Sequence, residues 1–157
     1  MRADRHMVRA QCRCGAVSVE LVGEPMMRAT CYCGSCREAA GLLSDLPGAP
    51  AIASEDGGTD VALYRKDRVG PGVGLDHLQE HRLTAGSPTR RLVADCCNTP
   101  LMLDFTKGFW LSIYPGCLSA TEDRGPRPTL RAHSAPFMAR LLLTWAAMGF
   151  RSPKVAW

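Results

Sequence analysis

A chain of 157 residues, 46% of them hydrophobic, has the length of one domain and enough apolar surface to bury a core without disulfide support. The formal charge is only +4, and 16 of the 19 basic residues are arginines scattered along the chain, so no nucleic-acid-binding stripe is expected. No apolar stretch reaches the roughly 18 residues of a membrane span, and Met1 to Ala10 lacks the apolar core of a signal peptide. The expected setting is the cytoplasm, where thiols stay reduced.

In chain order, residues 10–22 read as strand: Val17 and Val19 alternate with Ser18 and Glu20 before a turn at Gly23-Glu24-Pro25. Residues 26–31 read as a second strand, and residues 37–43 as a short helical turn that Pro47, Gly48 and Pro50 cut off. After a loop over 51–60, short strands are expected at 60–64, 75–83 and 90–95. A hairpin follows, with strands at 101–105 and 109–114 across the turn at 106–108; residues 122–128 read as loop. The tail is the strongest helix: Ser134 can cap it, Pro136 suits its first turn, and Gly149 and Pro153 end it. Phe137, Leu141, Trp145 and Met148 fall on one face of that helix, joined by Met138 and Leu142, as a core-packing stripe. The expected fold class is mainly β with a C-terminal helix. It is expected to form a single domain over residues 8–150, with flexible termini at 1–7 and 151–157.

The chemistry lies in eight cysteines, arranged as three groups and one single. Cys12-Arg13-Cys14-Gly15, Cys31-Tyr32-Cys33-Gly34-Ser35-Cys36 and Cys96-Cys97 each offer closely spaced thiolates, with small residues that let sulfurs from one turn face one point. Zinc takes such thiolates in a tetrahedron at about 2.3 Å, and Cys-x-x-Cys is its commonest spacing. Neighbouring cysteines make poor disulfides with each other, because a bridge wants Cα atoms about 5.5 Å apart. Bridges between groups would belong to an exported protein. A thioredoxin-like redox role for Cys33 and Cys36 wants a βαβ setting that is missing here. Cys117 reads as a small buried hydrophobe. His77-Leu78-Gln79-Glu80-His81 has the wording of a zinc-peptidase motif, but the segment is short and alternates as a strand, with Leu75, His77, Gln79, His81 and Leu83 on one side. His6 and His133 have no partner visible in sequence.

Taken together, Cys12-x-Cys14-Gly15-Ala16-Val17, Cys31-x-Cys33-x-x-Cys36-Arg37 and a cysteine followed by Thr99-Pro100-Leu101 resemble the glutathione-dependent formaldehyde-activating enzymes, over residues 11–118. The resemblance implies a β-tent fold, in which small antiparallel sheets are pinned by a structural zinc. It also implies a second zinc beside a pocket for a glutathione–aldehyde adduct of the S-hydroxymethylglutathione type, and carbon–sulfur lyase chemistry. In that family the outer pairs hold the structural zinc and the central cysteines hold the other. Here the final motif departs: Ala94 stands at the first ligand position and Cys97 at the second, with Cys96 beside it. An uncharacterised bacterial branch of the family is similar in carrying the same Cys-Cys-Asn-Thr-Pro wording. The expected structural site is therefore Cys12, Cys14, Cys96 and Cys97, which requires the chain to turn between the last two because adjacent strand residues face opposite ways.

Cys31, Cys33 and Cys36 form the second, open site, where a glutathione sulfur, another small thiol or water could complete zinc's shell. Arg37 could offset the negative charge of three thiolates on one dication, or be a solvated surface arginine. No acid, base or second nucleophile can be named. A competing reading is a non-catalytic, zinc-stabilised scaffold that binds a partner protein or a small thiol.

Overall fold

The computed structural model describes residues 6–119, 129–155 and 157; the loop expected at 122–128 lies outside them. The order of elements is β1 (Met7–Gln11), β2 (Ser18–Val22), β3 (Met27–Cys31), α1 (Gly34–Ser44), β4 (Thr59–Arg65), β5 (Val69–Val73), β6 (Leu78–His81), β7 (Thr89–Ala94), β8 (Thr99–Phe105), β9 (Trp110–Ile113), β10 (Leu130–Arg131) and α2 (Ala135–Ala147). The described strands make two sheets: a small one in the order β1-β2-β5, and a large one in the order β10-β3-β4-β9-β8-β7-β6. All pairings are antiparallel except that of β10 with β3. The mainly-β class with a C-terminal helix is what the sequence predicts.

Alternation places the core. Val8 and Ala10 of β1, Val19 and Leu21 of β2, and Met27 and Ala29 of β3 point inward, and each has a polar or exposed neighbour. They meet Leu63, Tyr64, Leu101, Met102, Leu111 and Ile113 from the middle of the large sheet, all of them fully buried. Among the described residues no helix is long and apolar enough to cross a membrane.

Several elements differ from the sequence expectation. The strand expected over 10–22 is two strands, paired from Met7↔Val22 to Gln11↔Ser18, with residues 12–17 as the loop between them. The helical turn expected at 37–43 is an eleven-residue helix, α1, that starts at Gly34, so the cysteine motif itself forms its first turn. The 75–83 strand begins as a 3-10 turn over Leu75–His77, which resets the alternation before β6. β5 went unpredicted because its sequence, Val-Gly-Pro-Gly-Val, reads as a string of breakers; as the edge of the small sheet, paired only with β2, it tolerates the proline. Gly74 just after it sits at φ 68°, and a Cβ there would lie 2.1 Å from the Ala16 carbonyl oxygen, so only glycine lets this chain reach the 12–17 loop.

On α2, Ser134 accepts a hydrogen bond from the Phe137 amide, as its capping role predicts. Phe137, Leu141 and Met148 are buried and Trp145 half-buried, but Met138 and Leu142 are 50% and 57% exposed. One helical step of about 100° turns these two off the packed stripe. Beyond α2, Val155 and Trp157 pack partly buried against the core.

One buried ion cluster braces the large sheet. Lys66 Nζ lies 2.8 Å from Asp104 Oδ1, with both side chains 2% exposed, and Arg90 binds the other carboxylate oxygen at 2.9 Å. Removing one member of a buried pair strands the other charge in a low-dielectric setting. Asp104→Ala is expected to destabilise the fold by about 3–5 kcal/mol in denaturant titration. Arg65→Ala, which breaks the surface pair with Asp67, should cost less than about 1 kcal/mol. Equal effects from the two substitutions would contradict this role for the cluster.

Candidate metal centre

Two groups of cysteines come together, and among the described residues they are the only sets of three or more His, Cys, Asp or Glu side chains close enough to share an ion. The first is Cys12, Cys14, Cys96 and Cys97. Cys12 and Cys14 sit in the 12–17 loop of the small sheet, held by Cys12 N–H to Val17 O and Gly15 N–H to Cys12 O, both at 3.0 Å. Cys96 and Cys97 sit in the turn between β7 and β8 of the large sheet, where Ala94 and Thr99 are still paired. Asn98 closes that turn in the left-handed region, at φ 53°, a conformation asparagine tolerates better than most residues.

The sulfur spacings are 3.7 Å for Cys12–Cys14, 3.7 Å for Cys12–Cys96, 3.3 Å for Cys14–Cys96 and 3.8 Å for Cys96–Cys97. Four thiolates around one zinc at about 2.3 Å would stand about 3.8 Å apart. The donor set and its spacing therefore fit a closed tetrahedral zinc site. Ala94 is fully buried in the core, and the turn carries Cys96 to the cluster in place of a cysteine at position 94.

Surrounding groups orient these sulfurs. The Val17 amide donates to Cys12 Sγ at 3.3 Å. Thr99 Oγ1 lies 3.0 Å from Cys97 Sγ and accepts from the Arg13 amide at 3.2 Å, so one hydroxyl links both loops. Burial alone would raise the Cys97 pKa, but the Thr99 hydroxyl and neighbouring donors bring it down to about 6. Desolvation and the crowd of adjacent thiols push Cys96 far up. Four sulfurs this close need a cation before all can be thiolates. Arg13 Nη1 also donates to the Gly48 carbonyl at 2.8 Å, and Asn98 Nδ2 to the Pro47 carbonyl at 2.9 Å, which tethers the cluster to the chain leaving α1.

The second group is Cys31, Cys33 and Cys36, whose sulfurs lie within 4.8 Å of one another, Cys31 and Cys33 at 3.3 Å. Cys31 ends β3, Cys33 precedes the first residue of α1 and Cys36 lies in its first turn. A helix N-terminus favours the thiolate form. The Cys36 thiol, hydrogen-bonded to Cys31, pulls the Cys31 pKa down to about 5 against its burial, and Cys36 itself is pushed far up. This trio has no fourth cysteine, and it opens into a cavity of about 320 Å³. A larger groove of about 770 Å³ runs beside β1 and the Pro115–Cys117 turn, but none of the trio reaches it. Chemistry, not volume, points to the smaller cavity.

Two residues around the trio were not singled out by sequence for this role. Arg91 is only 3% exposed, and its Nη2 donates at 3.3 Å to the carbonyl of Ser35, between Cys33 and Cys36; its guanidinium also hydrogen-bonds the buried Tyr114 phenol. Of the two roles open to Arg37 in the sequence, it takes the solvated one, exposed on the outer face of α1 beside Asp56. Of the two arginines, the one that lines the trio's cavity is thus Arg91. Strand parity was the available signal, since one of Arg90 and Arg91 had to face inward. His133 lines the cavity from the turn before α2 at φ 67°, with its ring 6.1 Å from that of Phe137.

The remaining candidates fall elsewhere. His77 pairs with Asp95 at 2.9 Å, and neither it nor His81 joins a cysteine group, so the peptidase wording has no metal geometry behind it. Cys117 is buried in a 3-10 turn, donates to the Pro100 carbonyl at 3.2 Å, and has its pKa pushed up to about 12 by desolvation, as befits an apolar filler.

Comparison with known proteins agrees in part. Residues 7–49 match the family model described as glutathione-dependent formaldehyde-activating enzyme. That stretch runs from β1 through α1 and contains Cys12, Cys14, Cys31, Cys33 and Cys36, but not Cys96 or Cys97. No curated protein matches the sequence. Among solved structures, the crystal structure of a Rhodobacter sphaeroides protein superposes with a TM-score of 0.54, covering 79% of this chain and 99% of that one at 15% identity, a likeness of fold. The chain is similar to the formaldehyde-activating family over the segment that carries five of its eight cysteines.

Proposed function

We propose that this chain is a zinc protein of the formaldehyde-activating type, with a closed structural site at Cys12, Cys14, Cys96 and Cys97 and an open site at Cys31, Cys33 and Cys36. In this reading it makes and breaks the carbon–sulfur bond of a thiol–aldehyde adduct, of which S-hydroxymethylglutathione is the family's example. The observation that carries it is the contrast between the groups: four sulfurs at tetrahedral spacing, and three facing a cavity.

Zinc held by three thiolates supplies a Lewis-acidic position that favours the anionic form of an incoming sulfur. The chain supplies the rest. Arg91 and the N-terminus of α1 place positive potential beside the trio, where a departing thiolate gathers charge. As the adduct opens, its hydroxyl proton passes to His133 at the cavity wall, the oxygen's electrons form the carbonyl, and the carbon–sulfur pair leaves on sulfur. The products are one aldehyde and one thiolate. The scaffold reading has a single observation in its favour, the apolar Met138, Leu142 and Leu143 left exposed on α2.

Metal analysis of the protein purified under reducing conditions is expected to find two zinc ions per chain, and a strong chelator should lower its melting temperature. Cys97→Ala should destabilise the fold by several kcal/mol, of the order expected on losing a structural-metal ligand. Cys33→Ala should stay folded, lose one zinc, and no longer speed the exchange between a thiol–aldehyde adduct and its components followed by NMR. One tightly held zinc and no acceleration of exchange by the parent protein would favour the scaffold. Unfolding by Cys33→Ala with Cys97→Ala tolerated would reverse the two sites.

The charge argument makes its own prediction. Arg91→Met removes the buried cation beside the trio and should weaken binding of the second zinc about tenfold, roughly 1.4 kcal/mol. Arg37→Ala should leave that affinity unchanged in a competition titration with a chromophoric chelator. Equal losses from both would return the counter-charge to Arg37.

A further inference from the structure

The cavity beside Cys31, Cys33 and Cys36 has a hydrocarbon wall. Leu63, Leu103 and Trp110 come from the large sheet and Phe137 and Leu141 from α2, while Phe105 sets its ring 5.7 Å from that of Trp110 at a 38° tilt, giving one side an aromatic surface. Among the described residues, charged or titratable side chains other than the cysteines are limited to Arg91 and His133, and no aspartate or glutamate borders the space. A ligand ammonium would enter without a counter-ion, and peptide amides would meet mostly hydrocarbon, and buried polar groups left unpaired are strongly disfavoured. A formaldehyde adduct adds a single carbon at the sulfur and would leave the aromatic wall unfilled.

We infer that the ligand held at the cysteine trio carries a compact apolar body, aromatic or branched aliphatic, attached to the carbon beside the sulfur. This deepens the thiol–adduct reading and rests on it. The body packs against Phe105, Trp110, Leu103 and Leu141, and the sulfur reaches the cysteines at the cavity's end. Met138, half-exposed and also part of the lining, marks the rim. Aromatic rings favour tilted packing on one another, as Phe105 and Trp110 already show.

The test is calorimetric titration of the zinc-loaded full chain with phenylmethanethiol, 2-mercaptoethanol, glutathione and the sulfur-free benzyl alcohol. Phenylmethanethiol is expected to bind about thirtyfold more tightly than either 2-mercaptoethanol or glutathione, the gain that burying one ring brings. Leu103→Gln should erase about tenfold of that preference at unchanged zinc content. Met138→Gln, at a position exposed enough to leave the fold intact, should lower it by a smaller factor. Tighter binding of glutathione than of phenylmethanethiol would overturn the apolar ligand class and leave the thiol site standing. Binding of benzyl alcohol with no response to any thiol would keep the apolar cavity and remove the thiol-site reading. An undiminished preference in both variants would place the apolar body elsewhere and overturn the inference.

Discussion

The fold turns on one convergence of sulfur. Cys12 and Cys14 belong to the hairpin loop of the small sheet, and Cys96 and Cys97 to a turn of the large one, yet Cys14 and Cys96 stand 3.3 Å apart across this divide. Thiols have no strong attraction for one another, and four ionised sulfurs at such spacing would repel. A shared dication would turn that repulsion into a bond between two sheets. Gly74, pressed against the Ala16 carbonyl, and Thr99, bonded to both loops, make sense as supports for this seam.

From that seam the constraint passes to the second group. Asn98 and Arg13 hold the carbonyls of Pro47 and Gly48, just past the end of α1. The other end of α1 presents Cys33 and Cys36, and the adjoining strand presents Cys31. One helix therefore spans the distance between the two cysteine groups. Arg91 fixes its first turn from below through the Ser35 carbonyl. A closed site that builds the scaffold and an open one that faces a cavity are a division of labour zinc proteins use generally.

Much of this was legible in the residues. The grouping of the cysteines, Cys96 included although position 94 holds alanine, followed from spacing and resemblance. The strands β3, β4, β7, β8 and β9 were legible as short runs set off by turn residues, and α2 by its cap and apolar stripe. What stayed hidden was decided by tertiary contact. β5 is a strand only because β2 pairs with a glycine–proline run, and α1 extends back to Gly34 because the cysteine turn and the first helical turn are the same residues. Sequence left Arg37 open between a counter-charge and a solvated arginine, and the face of its helix decided for the second. Arg91, sixty residues from the trio in Cys31's direction, could be placed beside it only by the packing of β7 under α1.

The central claim is that two cysteine sets bind zinc through sulfur alone or nearly so. X-ray absorption fine structure at the zinc edge, on protein with both sites filled, tests it most directly. The account predicts a first shell dominated by sulfur at about 2.3 Å, with an average between three and four sulfurs per zinc. It predicts that the Cys33→Ala protein moves toward a uniform four-sulfur shell, as only the closed site stays filled. A shell dominated by nitrogen or oxygen near 2.0 Å in the parent protein would contradict it.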